Sequence, residues 1–246
     1  MTSLDARARP WQWWGPFDSP SDPPGIARLV SSGALSRNLA AFLGAAVHAG
    51  ASLAVCAIPS GAGKTTLLTA LVDALPTEVI RYYPRGHYED FASLDALPIT
   101  SADLTFLINE ISHHLPIYLW GKQAARVLRL GVEGCQLLAT AHADSATTFS
   151  ELLADSSFDI GSGAIAAFDL VVALGESQTV QRVEAIFRQD GHLTAVAIPL
   201  DPDPANLRDL LHAAAVAGSP LARIRPDFLE RWAEWAQQDR PSAPDP

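Results

Sequence analysis

The sequence predicts an α/β fold: a mostly parallel central sheet flanked by helices, followed by a β-hairpin extension and C-terminal helices. Three observations carry this expectation. Between residues 52 and 174, short apolar β-type runs alternate with segments of helical period, the pattern of parallel strands joined by crossover helices. Residues 52–75 read as strand, glycine-rich loop and helix. After residue 180, two strand-like runs lie too close for a crossover, and Asp190-Gly191 between them is a hairpin signal.

The elements follow in order. Residues 1–25 are a Pro/Trp-rich extended arm, "RPWQWWGPFDSPSDPPG" from Arg9 onward, whose prolines exclude a helix. Trp11, Trp13 and Trp14 suit either an arm packed on the domain through its indoles or a docking segment for a partner. A core is expected over 26–200. It opens with two helices parted near Gly33, the second running from about Ser36 to His48. "SLAVCAI", residues 52–58, is a strand, and a loop follows at 59–63. From Lys64 onward Leu67, Leu68, Leu71, Val72 and Leu75 recur at helical spacing until Pro76 ends the helix. Further strands are expected at 78–83, 104–108, 136–140, 169–174, 180–187 and 193–198, with helices at 119–130 and about 146–154. A helical extension, 201–246, begins at Asp203-Pro204, and its second helix sets Phe228, Leu229, Trp232 and Trp235 on one face as a core contact. There is no internal repeat.

Composition narrows the function classes. The 246 residues are 48% hydrophobic, enough for a sizeable core. The formal net charge of −10 excludes the cationic surface that sequence-independent nucleic-acid binding requires. Lysine occurs only at 64 and 122, so Lys64 is a poor candidate for generic surface charge. Two lone cysteines, Cys56 and Cys135, and no leader-like segment fit a reducing cytoplasm. Cys56 lies in an apolar run and suits a small buried hydrophobe. The stretch from Leu39 to Ile58 is apolar but alanine-rich and interrupted by His48, Ser52 and two glycines; it reads as helix then strand, not as a membrane span.

The chemistry-bearing stretch is "IPSGAGKTT", residues 58–66. Successive N–H groups of such a loop form a nest for a β-phosphate, and the helix beginning at Lys64 adds its positive end. Ser60, Gly61, Ala62, Gly63, Lys64, Thr65 and Thr66 are the candidate nucleotide-binding residues. The Lys64 ammonium suits the β- and γ-phosphates of ATP, and the Thr65 hydroxyl suits Mg²⁺. Ile58 stands where the strict pattern has glycine. The competing explanation is a coincidental glycine-rich turn. Hydrolysis needs a carboxylate at the end of a neighbouring strand, and "LTFLINEI" offers Glu110, which otherwise is a solvated strand-end glutamate. His142 follows another apolar strand, at the carboxyl edge where ligands bind in such sheets, although a lone histidine is usually structural. His113 and His114 invite a metal reading. Consecutive histidines are expected to point apart, and no ligand set completes them.

From about Trp11 to Arg188 the chain resembles the type II/type IV secretion (pilus assembly) ATPase superfamily, and within it the CpaF-like ATPases of Flp (Tad) pili. "IARLVSSGALSRNLAAFLGAAVHAGASLAV" is similar to the family's helical lead-in, "INEI" stands where its Walker B glutamate falls, and "GCQLLATAHADS" is similar to its histidine box through Gly134, Thr140, His142 and Ala143. "IAAFDLVVALGESQTVQRVEAIF" resembles the strand pair that closes its nucleotide domain. The resemblance implies a RecA-like P-loop ATPase core with ATP and Mg²⁺, catalytic roles for Glu110 and His142, a hexameric ring or a hetero-assembly with a full-length secretion ATPase, an inner-membrane platform protein as partner, and a cytoplasmic place at that membrane. It also exposes departures. Family members carry an N-terminal domain whose arginines help complete the nucleotide site, whereas only the short arm precedes the core here. The acidic box is displaced to Glu89-Asp90, Ser112 stands where the family has arginine, and Cys135 replaces the first histidine of the box. Arg81 or Arg85 is a candidate substitute that sequence alone does not place. Two readings follow: a motor ATPase powering pilus assembly or secretion, or a nucleotide-binding but weakly active regulatory or assembly subunit.

Overall fold

The computed structural model describes residues 25–96, 100–155, 163–189, 192–225, 229–238 and 244. Residues 1–24 of the expected arm and the Asp190-Gly191 turn, together with Phe228, lie outside the described residues.

Seven strands form one sheet: β1 (Leu53–Cys56), β2 (Ile80–Tyr82), β3 (Leu104–Ile111), β4 (Gln136–Ala141), β5 (Leu170–Leu174), β6 (Val180–Gln189) and β7 (His192–Ile198). Their order is β2-β3-β4-β1-β5-β6-β7. The first five are mutually parallel, while β6 and β7 add on antiparallel, with Gln189 opposite His192. This is the mostly parallel, helix-flanked sheet with a hairpin that the alternation of elements predicted. The helices are α1 (Ile26–Ser31), α2 (Arg37–His48), α3 (Lys64–Val72), α4 (Ala92–Asp95), α5 (Gly121–Val132), α6 (Ala146–Ala154), α7 (Pro204–Ala217) and α8 (Leu229–Trp235).

The period-2 rule divides the strand residues between two cores. Leu53, Val55, Leu107, Leu138, Leu170 and Val172 face the layer that holds α1, α2, α3, α7 and α8. Ala54, Cys56, Phe106, Ile108, Leu137, Ala139 and Val171 face the opposite layer with α5 and α6. Both faces are covered, which is why these strands read as continuous apolar runs. The Trp stripe of α8 is a core contact as expected. Trp232 and Trp235 are buried against α2, so closely that a Cβ on Gly44 would lie 2.8 Å from the Trp235 ring.

Several boundaries differ from expectation for identifiable reasons. The α3 helix stops at Val72, not Leu75. Its last turn tightens into Ala74 N–H to Leu71 O and Leu75 N–H to Val72 O bonds, since Pro76 disfavours helical geometry in the residue before it. The β3 strand runs to Ile111, three residues beyond expectation, because Ser112 N–H donates to Leu119 O and Leu119 N–H to Glu110 O, so a later segment extends the ladder. The β2 strand shrinks to three residues, and the short α4 had no sequence signal. Leu39–Ile58 is α2 followed by β1, and among the described residues no helix is long and apolar enough to cross a membrane.

Candidate functional site

The strands β3, β4 and β1 are neighbours and parallel, so their carboxyl ends lie side by side. The residues following them enclose a cleft of about 780 Å³. Ser60, Gly61, Ala62, Gly63, Lys64, Thr65 and Thr66 all line it, as do Glu110 and His142. The residues singled out in three separate stretches of sequence thus share one cavity.

The loop after β1 owes its shape to two glycines. Gly61 has φ +76° and Gly63 φ +88°, backbone that a Cβ disfavours. No side chain caps the N-terminus of α3, so its first N–H groups and the positive helix end remain available to an anion. Ile58 sits at the strand exit, mostly exposed, and its carbonyl meets His142 Nδ1.

Glu110 is placed by a bulge. Ile108 pairs with Ala139 but Ile111 with Ala141, so β3 carries one extra residue at Asn109-Glu110. The Thr140 hydroxyl donates to Asn109 O inside the bulge. Such irregularities re-aim a side chain, here toward Lys64 and the glycine-rich loop. Lys64 is 7% exposed, and its Nζ lies 3.5 Å from Ala57 O and 3.9 Å from Glu110 Oε2. Burial lowers the lysine pKa, and Glu110 partly restores it. One carbonyl and one carboxylate leave this ammonium with donor capacity for a phosphate.

His142 Nδ1 is 3.1 Å from Ile58 O, and Nε2 is 3.3 Å from Glu110 Oε1. Both ring nitrogens therefore face acceptors, which only the imidazolium satisfies. The Glu110 contact is the main cause that raises the His142 pKa; burial and Lys64 oppose it, and the Ile58 carbonyl helps. Glu110 Oε1 is itself buried, with the His142 Nε2 beside it. Thr65 and Glu110 line the same cleft as the Lys64 loop, and a hydroxyl with a carboxylate is an all-oxygen donor set that would suit Mg²⁺.

Five lining residues were not assigned to this cleft from the sequence, His114 among them although it invited a metal reading: Asn109, His114, Leu115, Tyr118 and Gln178. The first four belong to the bulge and to the loop folded back by the 110–119 pairing; no periodicity signals such a return. Gln178 comes from the β5–β6 turn, and its Nε2 donates to Gly61 O at 3.1 Å.

The expectation that His113 and His114 diverge is corrected: their rings stack at 4.8 Å, and His114 meets His142 edge-on at 6.0 Å. The loop bends there because His114 N–H donates to Ser112 Oγ. Among the described residues no group of three His, Cys, Asp or Glu side chains is arranged to hold a metal ion. Glu89 of the displaced acidic pair is buried and accepts from Tyr82 Oη and from the N–H groups of Arg85 and Phe91, each at 2.8 Å; it braces its own loop. Arg85 pairs with Glu89 and Asp90, and among the described residues the cleft lining contains no arginine. Cys135, just before β4, lies at the opposite edge of the sheet, its thiol pushed up to about 11 by burial. Burial also raises the Cys56 thiol.

No protein-family profile and no curated protein matches this chain. Among solved structures it is similar to the VirB11 ATPase of the Brucella suis type IV secretion system, in complex with sulphate, with 18% identity and a TM-score of 0.42 over 65% of this chain and 54% of that one. It is also similar to the Legionella pneumophila ATPase DotB, with 14% identity and a TM-score of 0.37 over 89% of this chain and 62% of that one. The chain thus spans between 54% and 62% of the length of these two proteins.

Proposed function

We propose that the chain binds Mg–ATP in this cleft and hydrolyses it. The observation that carries the reading is the convergence of the Lys64 loop, Glu110 and His142 at the carboxyl ends of three adjacent parallel strands. In this reading the loop N–H groups and Lys64 hold the β- and γ-phosphates, Thr65 ligates Mg²⁺, and Glu110 orients and deprotonates the attacking water. His142⁺ holds Glu110 in place and adds positive charge near the reacting phosphate. Bound Mg²⁺ supplies charge neutralisation on the phosphate oxygens. Residues 26–200 are the nucleotide core, with the arm 1–25 and the extension 201–246 as appendages. Titration of the purified chain with a fluorescent ATP analogue tests this. Lys64→Ala is expected to weaken binding at least about tenfold, ~1.4 kcal/mol; unchanged affinity in a folded variant overturns the assignment.

The wider role we infer is that of a secretion or pilus-assembly motor, CpaF-like, working as a hexameric ring or beside a full-length ATPase on a platform protein at the cytoplasmic face of the inner membrane. The order of the motifs in the sequence supports it. A lining without arginine among the described residues favours a second reading, a binding but slow regulatory subunit, because those residues under-supply transition-state charge. Native mass measured with and without nucleotide tests the ring.

A further inference from the structure

Gln178 has φ +60°, one of two non-glycine residues with positive φ among the described residues. Left-handed backbone is unfavourable for a residue with a Cβ, and glycine or asparagine is the usual occupant. Neither would do what this side chain does. Glycine has nothing to reach with, and asparagine is one methylene short. The glutamine amide crosses to the phosphate loop and donates to Gly61 O at 3.1 Å, while its Cβ lies 3.7 Å from where a Cβ on Gly63 would be. The turn that presents it is firmly held. Gln178 N–H donates to Gly175 O, Gly175 N–H to Thr179 O, and Val180 N–H to Ala34 O in the connection between α1 and α2.

We propose that Gln178 is a positioning residue for the phosphate loop: its amide, braced by the β5–β6 turn, fixes the 61–62 peptide plane. Among the described residues there are no cis bonds, and in a trans peptide the Gly61 carbonyl and the Ala62 N–H point opposite ways. Holding the carbonyl therefore sets the direction of the N–H, one of the donors from which a phosphate nest is built. Strain at Gln178 is the cost of that reach. The inference rests on the nucleotide reading of the loop and adds a residue that no phosphate-loop pattern contains.

The test uses the full chain and two probes, Mg-tripolyphosphate and a fluorescent ATP analogue, with thermal unfolding in parallel. Gln178→Asn and Gln178→Gly both suit left-handed backbone and both lose the reach. Each is expected to weaken both probes by about threefold to tenfold, the worth of one hydrogen bond, with a melting temperature unchanged or raised. A purely structural role predicts the reverse: a lower melting temperature and unchanged affinity. Tripolyphosphate binding within twofold of wild type in both variants overturns the proposal. So does a loss confined to the ATP analogue, which would place Gln178 on the nucleoside. If wild type binds both probes and Lys64→Ala does not, such a result sinks the Gln178 inference alone. If wild type binds neither, the nucleotide reading falls and this inference with it.

Discussion

Gly86→Ala probes the support of the cleft. Gly86 begins a 3-10 turn between β2 and α4, and φ there is +60°. A Cβ added to it would lie 2.3 Å from both the carbonyl carbon and oxygen of Ile117, and 2.7 Å from Pro116 O. These are backbone atoms, so no rotamer change relieves the contact. The left-handed backbone costs about 1–2 kcal/mol, and forcing the two loops apart costs about 1–3 kcal/mol more. Separation also breaks the bond from His87 N–H to Pro116 O, now 2.9 Å. A loss of about 2–5 kcal/mol is a large part of the 5–15 kcal/mol typical of a folded domain. At about 2–4 °C per kcal/mol for a chain of this size, melting should fall by roughly 4–20 °C. Circular dichroism melts and a guanidinium titration measure it. Gly33→Ala is the control, with φ +77° but nothing within 4 Å, so it carries the backbone cost alone. The displaced loop carries His114, Leu115 and Tyr118, so nucleotide affinity should fall with Gly86→Ala as well. A melting temperature within about 2 °C of wild type would show that the two backbones do not touch, and the steric reasoning would be wrong.

Four further outcomes are expected. Glu110→Gln should retain or improve ATP affinity, because Lys64 loses a competing carboxylate, while turnover falls at least about a hundredfold as for a lost general base; a wild-type rate makes Glu110 a bystander. An NMR titration of the His142 ring should show a midpoint above the ordinary 6.5, lowered in Glu110→Gln. Because the folded pKa is raised, the stability tied to this protonation is complete below 6.5 and is lost as pH rises through the folded value; a midpoint indifferent to Glu110 would refute the pairing. Ser219→Ala should cost about 1.5–3 kcal/mol in chemical denaturation, since Asp169, raised by burial, relies on Ser219 Oγ at 2.7 Å and Ser52 N–H at 2.8 Å; an unchanged denaturation midpoint would dismiss that tie. Turnover by the isolated chain should lie below about 0.1 per second and rise with protein concentration or with an added full-length ATPase, and fast, concentration-independent turnover by the monomer would mean that one chain completes its own site.

Local chemistry made much of this protein readable from its residues in order. Strands buried on both faces must be apolar throughout, so β1, β3, β4 and β5 could be found as runs, and the hairpin followed from spacing too short for a crossover. The glycine-rich loop was legible because its demands are local: left-handed turns at Gly61 and Gly63, then a helix starting at Lys64. Glu110 and His142 could be nominated because each follows an apolar run. Their meeting was decided only by the sheet order, which sets β4 between β3 and β1. The direction of Glu110 came from a bulge, a mismatch between two strands that neither strand encodes alone. The stacking of His113 on His114 and the return of Tyr118 to the cleft depend on Leu119 pairing beside Glu110. Gln178 reaches Gly61 across 117 residues of chain. Periodicity reports which face of an element is buried; it holds no information on which distant loop will close over that face, and there the tertiary structure alone decides.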